Sequence, residues 1–353
     1  MGRVKAAARN IIFGYIGNLT TQLLGFVLRT IFIRHLGQTL NGVNALYTGI
    51  LSVLSMAELG IGTALNYSLY KPVIHKDYEK IKSYMLLYKK AYRIIGFVVA
   101  GIGLVIVPFL PYLVKQPEGV TLRDLTLYYL IFLFNTVSSY FVAYKYSLVN
   151  AEQKNYVQTN IITVTKMITV TLQIIVILTT GNFYAYLLTA ATVELLQKIF
   201  VSRYLNNMYP YLKEKDIKPL AKEEVGEVVK KTKALVLHKV GDVARLQTDA
   251  MIISGFINVT LSGIVDNYNL VISSVSNFVN IIFNSVLSSF GNLIVTESRQ
   301  KQYEIFKVYR FFACWIYGFS ATGFLLLLTP LVWLWLGPSN VLPVAAVTCI
   351  LID

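Results

Sequence analysis

Long apolar runs, separated by short polar stretches, organise this chain from end to end. Nine such runs occupy 11–34, 42–70, 91–114, 122–148, 156–180, 182–204, 235–258, 262–294 and 310–336, and a tenth begins at 341. A helix needs about 20 mainly apolar residues to cross the hydrocarbon of a bilayer. Period-2 alternation is absent from the runs, which disfavours a β-barrel. The pattern therefore predicts an all-α, polytopic helical membrane protein. The first run follows Arg3, Lys5 and Arg9, as the apolar part of a signal peptide would. It is too long for that role, carries Asn18 and Arg29, and lacks a clear small-x-small cleavage site, so it reads as an uncleaved first span.

Composition agrees with the pattern. Of 353 residues, 55% are apolar and 14% charged, against about 25% charged in ordinary soluble domains. The net charge of +14 raises the question of nucleic acid. Sorting the charges by loop answers it. Lys71, Lys76, Lys80, Lys82, Lys89, Lys90 and Arg93 form one basic group, and Lys145 and Lys154 a second. Lys198, Arg203 and the run from Lys213 to Lys233 form a third, and Arg299, Lys301, Lys307 and Arg310 a fourth. These alternate with charge-poor loops at 35–41, 115–121, 179–182, 258–262 and 337–340. The positive-inside rule then places the N-terminus and the basic loops in the cytoplasm of a plasma-membrane protein, with no nucleic-acid partner needed.

The long polar segment 207–233 mixes lysines with Glu214, Asp216, Glu223, Glu224 and Glu227. Mixed signs favour a solvated linker over a patch for lipid headgroups. The expected organisation is a six-helix lobe at 1–206, a cytoplasmic linker at 207–234 and a second lobe at 235–353. A weak internal repeat supports duplication. Gly17, Asn18 and Gly25 align with Gly241, Asp242 and Asp249, and after a three-residue gap Gly42, Tyr47 and Ser52 align with Gly263, Tyr268 and Ser273. Two pseudo-repeated six-helix lobes would need more residues than follow 235, so the second lobe is expected to be truncated, with about three complete spans and the start of a fourth.

Charges inside spans cost roughly 2.5–3.5 kcal/mol each on insertion scales, so those present mark candidate function. At 100° per residue, Asn18, Gln22, Gly25 and Arg29 share one face of the first span. His238, Asp242, Arg245 and Asp249 share one face of the seventh, within about 60°. Such faces must line protein or water rather than lipid. A structural ion-pair ladder is the plainer reading of the seventh-span face, through Asp242–Arg245 and Arg245–Asp249. Glu58 lies among small residues in the second span, where pairing with Arg29 or Lys166 is the structural alternative; Lys166 and Glu194 mark either a cavity or a helix contact. Arg34, near the outer end of the first span, reads as a snorkelling side chain. Arginine suits phosphate because its planar fork binds oxygens in pairs. The substrate-binding candidates are accordingly Arg29, Arg245, Asn18, Gln22, Glu58 and Lys166, and the ion-coupling candidates Asp242 and Asp249.

Enzyme signatures are lacking. No phosphate loop, Gly-x-Ser-x-Gly elbow or His-Glu-x-x-His helix occurs. Gly60-Ile61-Gly62 lacks the third glycine of a dinucleotide turn and lies in a membrane run. Two cysteines, Cys314 and Cys349, and three dispersed histidines, His35, His75 and His238, argue against a disulfide framework or a metal site. No catalytic residue and no cofactor is expected.

Several segments nevertheless carry a family texture: Leu54–Leu65 followed by Leu69-Tyr70-Lys71-Pro72, then Asn150–Tyr156, Thr248–Ser254 and Gly263–Tyr268. They resemble the polysaccharide-flippase branch (the O-antigen and teichoic-acid type) of the multidrug/oligosaccharidyl-lipid/polysaccharide, or MOP, exporter superfamily. The resemblance covers the chain to about residue 336. It implies two six-span lobes facing one another around a central cavity, no enzymatic activity and no ATP. The implied cargo is a polyprenyl-pyrophosphate-linked oligosaccharide moved from the inner to the outer leaflet for surface polysaccharide export. Membrane lipids and a coupling cation, proton or sodium, are the implied partners. A cation-coupled drug or metabolite exporter of the same superfamily, a membrane-embedded glycosyl- or acyl-transferase and a non-transporting scaffold are the alternatives.

Overall fold

The computed structural model describes residues 2–58, 61–115, 119–214, 217–296 and 298–352, and excludes the side chains of 2–11, 56, 57, 63, 213, 231, 234–247, 281, 282 and 284–297. Eleven α-helices and no strand occur among the described residues. They are α1 (Gly2–Leu54), α2 (Ile61–His75), α3 (Tyr78–Ile106), α4 (Leu110–Leu113), α5 (Leu122–Ala151), α6 (Asn155–Thr180), α7 (Phe183–Met208), α8 (Lys222–Ile252), α9 (Val259–Thr296), α10 (Arg299–Leu336) and α11 (Val344–Ile352). Among the described residues every apolar run read from the sequence is mainly helical, and six helices are long and apolar enough to cross a membrane.

Local chemistry sets the helix ends. Thr121 and Asp124 form a reciprocal capping box at the start of α5 (Oγ1 accepting from N and Oδ2 from N, both at 3.2 Å), where free N–H groups would otherwise go unsatisfied. Asn182 Oδ1 accepts from the backbone N–H groups of Tyr184 and Ala185 and so starts α7. Gly181, at φ 58°, ends α6 in the left-handed conformation that glycine enters cheaply.

Two boundaries differ from the sequence reading. The charge-poor stretch 35–41 is not a loop: α1 runs through it and bends at Gly37 alone, at φ 86° and ψ 167°. Only glycine takes that conformation without strain, so one residue does the work of a turn. The second run is not one helix either. It passes through a single 3₁₀ turn, Ser55–Glu58, before α2 begins at Ile61.

The chain forms two compact units, Met1–Ser262 and Gly263–Asp353. In the first, α1 packs along α6, α3 along α5, α7 against both α5 and α6, and α8 against α1 and α2. Close approach depends on two glycines. A Cβ at Gly17 would stand 2.6 Å from Thr163 Oγ1 on α6, and one at Gly103 would run into Leu133 Cδ1 on α5. Two apolar clusters result. One gathers Phe32, Tyr47, Tyr128, Phe183 and Tyr186, and the other Leu69, Tyr88, Tyr144, Leu148 and Leu205 towards the basic ends of the helices. Edge-to-face aromatic pairs such as Tyr128–Phe183, 4.6 Å between centroids, each add about 0.5–1.5 kcal/mol beyond burial. Outward faces remain apolar, with Phe97 69% and Leu178 56% exposed, as lipid-facing helices require.

In the second unit, α10 packs against α11, and Phe283 of α9 stacks on Tyr317 of α10 at 5.4 Å. One device occurs in both units. Tyr47 lies ten residues beyond the bend at Gly37, and Tyr268 ten beyond Asn258, which interrupts the helical path between α8 and α9. Both rings are fully buried. The Tyr47 hydroxyl donates to Leu125 O at 2.9 Å near the start of α5, and the Tyr268 hydroxyl accepts from Leu342 N at 3.0 Å just before α11. These are the tyrosines that the repeat aligns.

Candidate functional site in the membrane layer

Polar side chains of α1, α5, α6 and α7 gather within the first unit. The α1 face enters this group unevenly. Asn18 is exposed and donates Nδ2 to Gly14 O of its own helix at 3.0 Å. Gln22 is half-buried one turn on. Arg29 donates Nη1 to Asn41 Oδ1 at 2.6 Å. Asn41 is 2% exposed and lies beyond Gly37, so this bond ties the two halves of α1 across their bend. A buried charge needs such a partner. Position 41 lay in a stretch read as the edge of a loop, and that is why its role was not visible in the sequence.

Lys166 of α6 lies within electrostatic reach of Arg29 and of Glu194 on α7. Glu194 accepts from Asn135 Nδ2 at 2.6 Å and faces Lys198 Nζ at 3.9 Å. Lys198 in turn donates to Asn135 O, Asn135 Oδ1 and Ser138 Oγ at 2.7–2.8 Å. Lys166 thus feels both the Arg29 cation and the Glu194 carboxylate. Asn135 and Lys198 complete the network. They were missed because amides and a lysine near the end of a span look like ordinary boundary residues.

Glu58 goes elsewhere. Its carboxylate accepts from the Tyr92 hydroxyl, rather than pairing with Arg29 or Lys166 as the sequence alternative had it. The Tyr92 hydroxyl sits over Gly62, where a Cβ would stand 3.1 Å away, so the small residues after Glu58 admit a tyrosine and not only a helix backbone. Beside it, the Tyr140 hydroxyl bonds to Ser55 Oγ at 2.9 Å. A carboxylate held by a phenol at the break between α1 and α2 is a second, separate polar cluster.

The seventh-span face falls on α8. The side chains of His238, Asp242 and Arg245 lie outside the described residues. Asp249, near the last turn of α8, is exposed. Among the described residues, no group of three or more His, Cys, Asp or Glu is placed to hold a metal ion.

Chemically, the network on α1, α5, α6 and α7 offers three cations, Arg29, Lys166 and Lys198, and one carboxylate, Glu194. Such a surface favours an anionic ligand, because a phosphate adds the countercharge that the network lacks.

No family model and no curated relative matches the sequence. Solved structures do. The chain is similar to the inward-facing conformation of a multidrug resistance MATE family transporter of the MOP superfamily, with TM-score 0.64 and 14% identity over 95% of this chain and 79% of that one. The outward-facing conformation of a transporter of the same description matches with TM-score 0.57 and 15% identity, covering 99% and 78%. A MOP superfamily transporter from Pyrococcus furiosus, described as having a binding pocket of reverse polarity that suggests a different function, matches with TM-score 0.59 and 15% identity, covering 99% and 76%. The chain therefore has the polytopic helical fold of the MATE transporters of the MOP superfamily.

Proposed function

We propose that this chain is a multi-pass plasma-membrane transporter of the MOP type. It works by alternating access and moves a polyprenyl-pyrophosphate-linked oligosaccharide from the inner to the outer leaflet. The observation that carries this reading is that Lys166 lies within electrostatic reach of Arg29, with Glu194 as a nearby carboxylate. A sugar-pyrophosphate head cannot enter hydrocarbon without losing tens of kcal/mol of solvation. Cations at membrane depth replace part of that solvation, and Arg29 presents the planar fork that phosphate oxygens accept in pairs. Arg245, Asn18, Gln22 and Glu58 are further binding residues in this proposal, and Asp242 and Asp249 the coupling ones. The division into lobes at 1–206 and 235–353, joined by 207–234, belongs to the same proposal. An inside-negative potential assists outward movement of an anion by about 2.3 kcal/mol per charge per 100 mV.

A cation-coupled drug exporter is the second reading. Glu58, held by Tyr92 beside a helix break, is the observation in its favour, because a carboxylate there has a hydroxyl to exchange partners with when a cation arrives. The neighbouring solved structures described as multidrug resistance transporters also favour it. One experiment separates the two. Arg29→Ala and Arg245→Ala should each abolish transfer of a fluorescent lipid-linked oligosaccharide across proteoliposomes while protein levels stay normal. Full transfer in both variants would remove the phosphate-clamp role. If Glu58→Gln instead abolishes cation-driven drug efflux and the arginine variants do not affect lipid transfer, the exporter reading prevails.

A further inference from the structure

A cationic cavity lies away from the Arg29–Lys166–Glu194 network. It holds about 670 Å³ at the basic ends of α3, α5 and α7, and Lys82, Lys89, Arg93, Lys145 and Glu214 are its charged lining residues. Its cations differ in how they are compensated. Lys82 is buried and bonds to both Glu79 and Glu214, the latter at 2.7 Å. Lys145 donates to Ser202 Oγ at 2.8 Å, Ser202 O at 3.3 Å and Asn206 Oδ1 at 2.9 Å, all neutral oxygens. Lys89 and Arg93, one turn apart on α3, have no carboxylate partner among the described residues. Lys89 and Lys145 repel one another, so the cavity keeps an unneutralised excess of positive charge.

The lining also holds the polar linker in place. Ser83 Oγ donates to Lys218 O at 2.5 Å and Lys82 binds Glu214, so Glu214 and Lys218 are both tied to α3. The opposite border is apolar and faces outward. Phe141 lines the cavity and makes an edge-to-face pair with Phe97, 6.3 Å between centroids, and Phe97 is 69% exposed. Ile94, beside Arg93, is 64% exposed. A basic pocket that opens onto exposed aromatic and aliphatic side chains matches an amphiphile with an anionic head and acyl tails. A free phosphate needs no such border.

We propose that this cavity is a binding site for the phosphate headgroup of an anionic membrane lipid, seated on Lys89, Arg93 and Lys145, with its acyl chains over Phe141 and Phe97. Arg93 supplies the fork for two phosphate oxygens and Lys89 and Lys145 supply point charge. By the positive-inside rule, this end of the bundle faces the cytoplasmic leaflet, where anionic lipids create the negative surface potential. The site rests on the membrane reading of the chain but not on which cargo crosses.

The test uses the purified full chain in detergent, with phosphatidylglycerol or phosphatidylcholine added and retained lipid counted by native mass spectrometry. Retention of phosphatidylglycerol in preference to phosphatidylcholine is expected, with no displacement by millimolar inorganic phosphate. Lys89→Gln with Arg93→Gln should weaken retention about thirtyfold, the effect of removing two near-surface cations. Glu214→Gln, which removes one of the two carboxylates on Lys82 and so raises the cavity's positive charge, should strengthen it. Circular dichroism confirms that the variants fold, and the gain in Glu214→Gln cannot arise from unfolding. Equal retention of the two lipids, undiminished retention in the double variant, or no gain in Glu214→Gln overturns the proposal. Displacement by inorganic phosphate also overturns it, in favour of a free-anion site.

Discussion

The two cationic regions of the first unit use the same residue types under different rules. In the network around Glu194, Lys198 has a side chain only 10% exposed, three oxygen acceptors within 2.8 Å and a carboxylate opposite it. Towards the basic end of the same α5–α7 seam, Lys145 has neutral acceptors alone. Lys89 and Arg93, at the mouth of the basic cavity, have neither. Lys145 is as buried as Lys198, 8% against 9% exposed, so neutral oxygens alone satisfy a buried cation there, and only the more accessible Lys89 and Arg93 go without protein acceptors. The cost of desolvating an ammonium explains the order, since a cation deep in the bundle must be satisfied by protein, whereas one at the mouth can wait for a ligand. A phosphate site at depth therefore has to be built into a network, and one at the rim needs only to be left open.

Lys198→Ala tests the deep end of this gradient and carries the largest expected effect. It removes the cation that bonds Asn135 O, Asn135 Oδ1 and Ser138 Oγ, and losing one buried charged partner of such a network costs about 3 kcal/mol. Thermal unfolding in detergent should report it. A shift no larger than that of a surface lysine, such as Lys301→Ala, would show that depth in the bundle does not govern compensation.

Lys145→Ala comes next. It removes hydrogen bonds from a charged donor to Ser202 and Asn206, for an expected loss of about 2 kcal/mol. Lys145→Met separates the two contributions of that side chain. It restores the apolar stem without the charge, and should recover part of the stability while leaving lipid retention reduced. If Met and Ala behave alike in both measurements, the ammonium does not bridge the seam and the pocket.

The gradient also explains what was legible in the sequence. Helical spans, their alternation with basic loops and the α1 polar face follow from composition and period, because burial in hydrocarbon permits few alternatives. Arg29 and Lys166 were visible as charges that needed a reason. Their partners were not. Asn41 lies twelve residues from Arg29 and is brought to it by the bend at Gly37, and Tyr92 reaches Glu58 from a different helix. An asparagine or tyrosine costs too little in a span to announce itself. The aligned Tyr47 and Tyr268 show the converse. Each was a single match in a faint repeat, yet both are fully buried and both fix their hydroxyl on backbone near a later helix. The basic cavity was overlooked for another reason. Lys82, Lys89, Arg93 and Lys145 were counted as topology signals, and nothing in their spacing says that α3 and α5 place them around one space.

The smallest stability effect is expected at the rim, and it decides whether the comparison holds. Lys89→Ala and Arg93→Ala remove exposed or half-buried cations without a protein carboxylate, so each should move stability by no more than about 0.5 kcal/mol. Their sign is informative as well. Removing Lys89 relieves its repulsion of Lys145, so a slight gain is expected in lipid-free detergent. In anionic-lipid nanodiscs the bound headgroup stabilises the folded state by mass action, and that contribution should vanish in the variant. Lys89→Ala should therefore be neutral or stabilising without lipid and destabilising, relative to the parent chain, with it. A loss of the same size in both conditions would mean that Lys89 supports the fold directly, and the rim would then obey the same rule as the core.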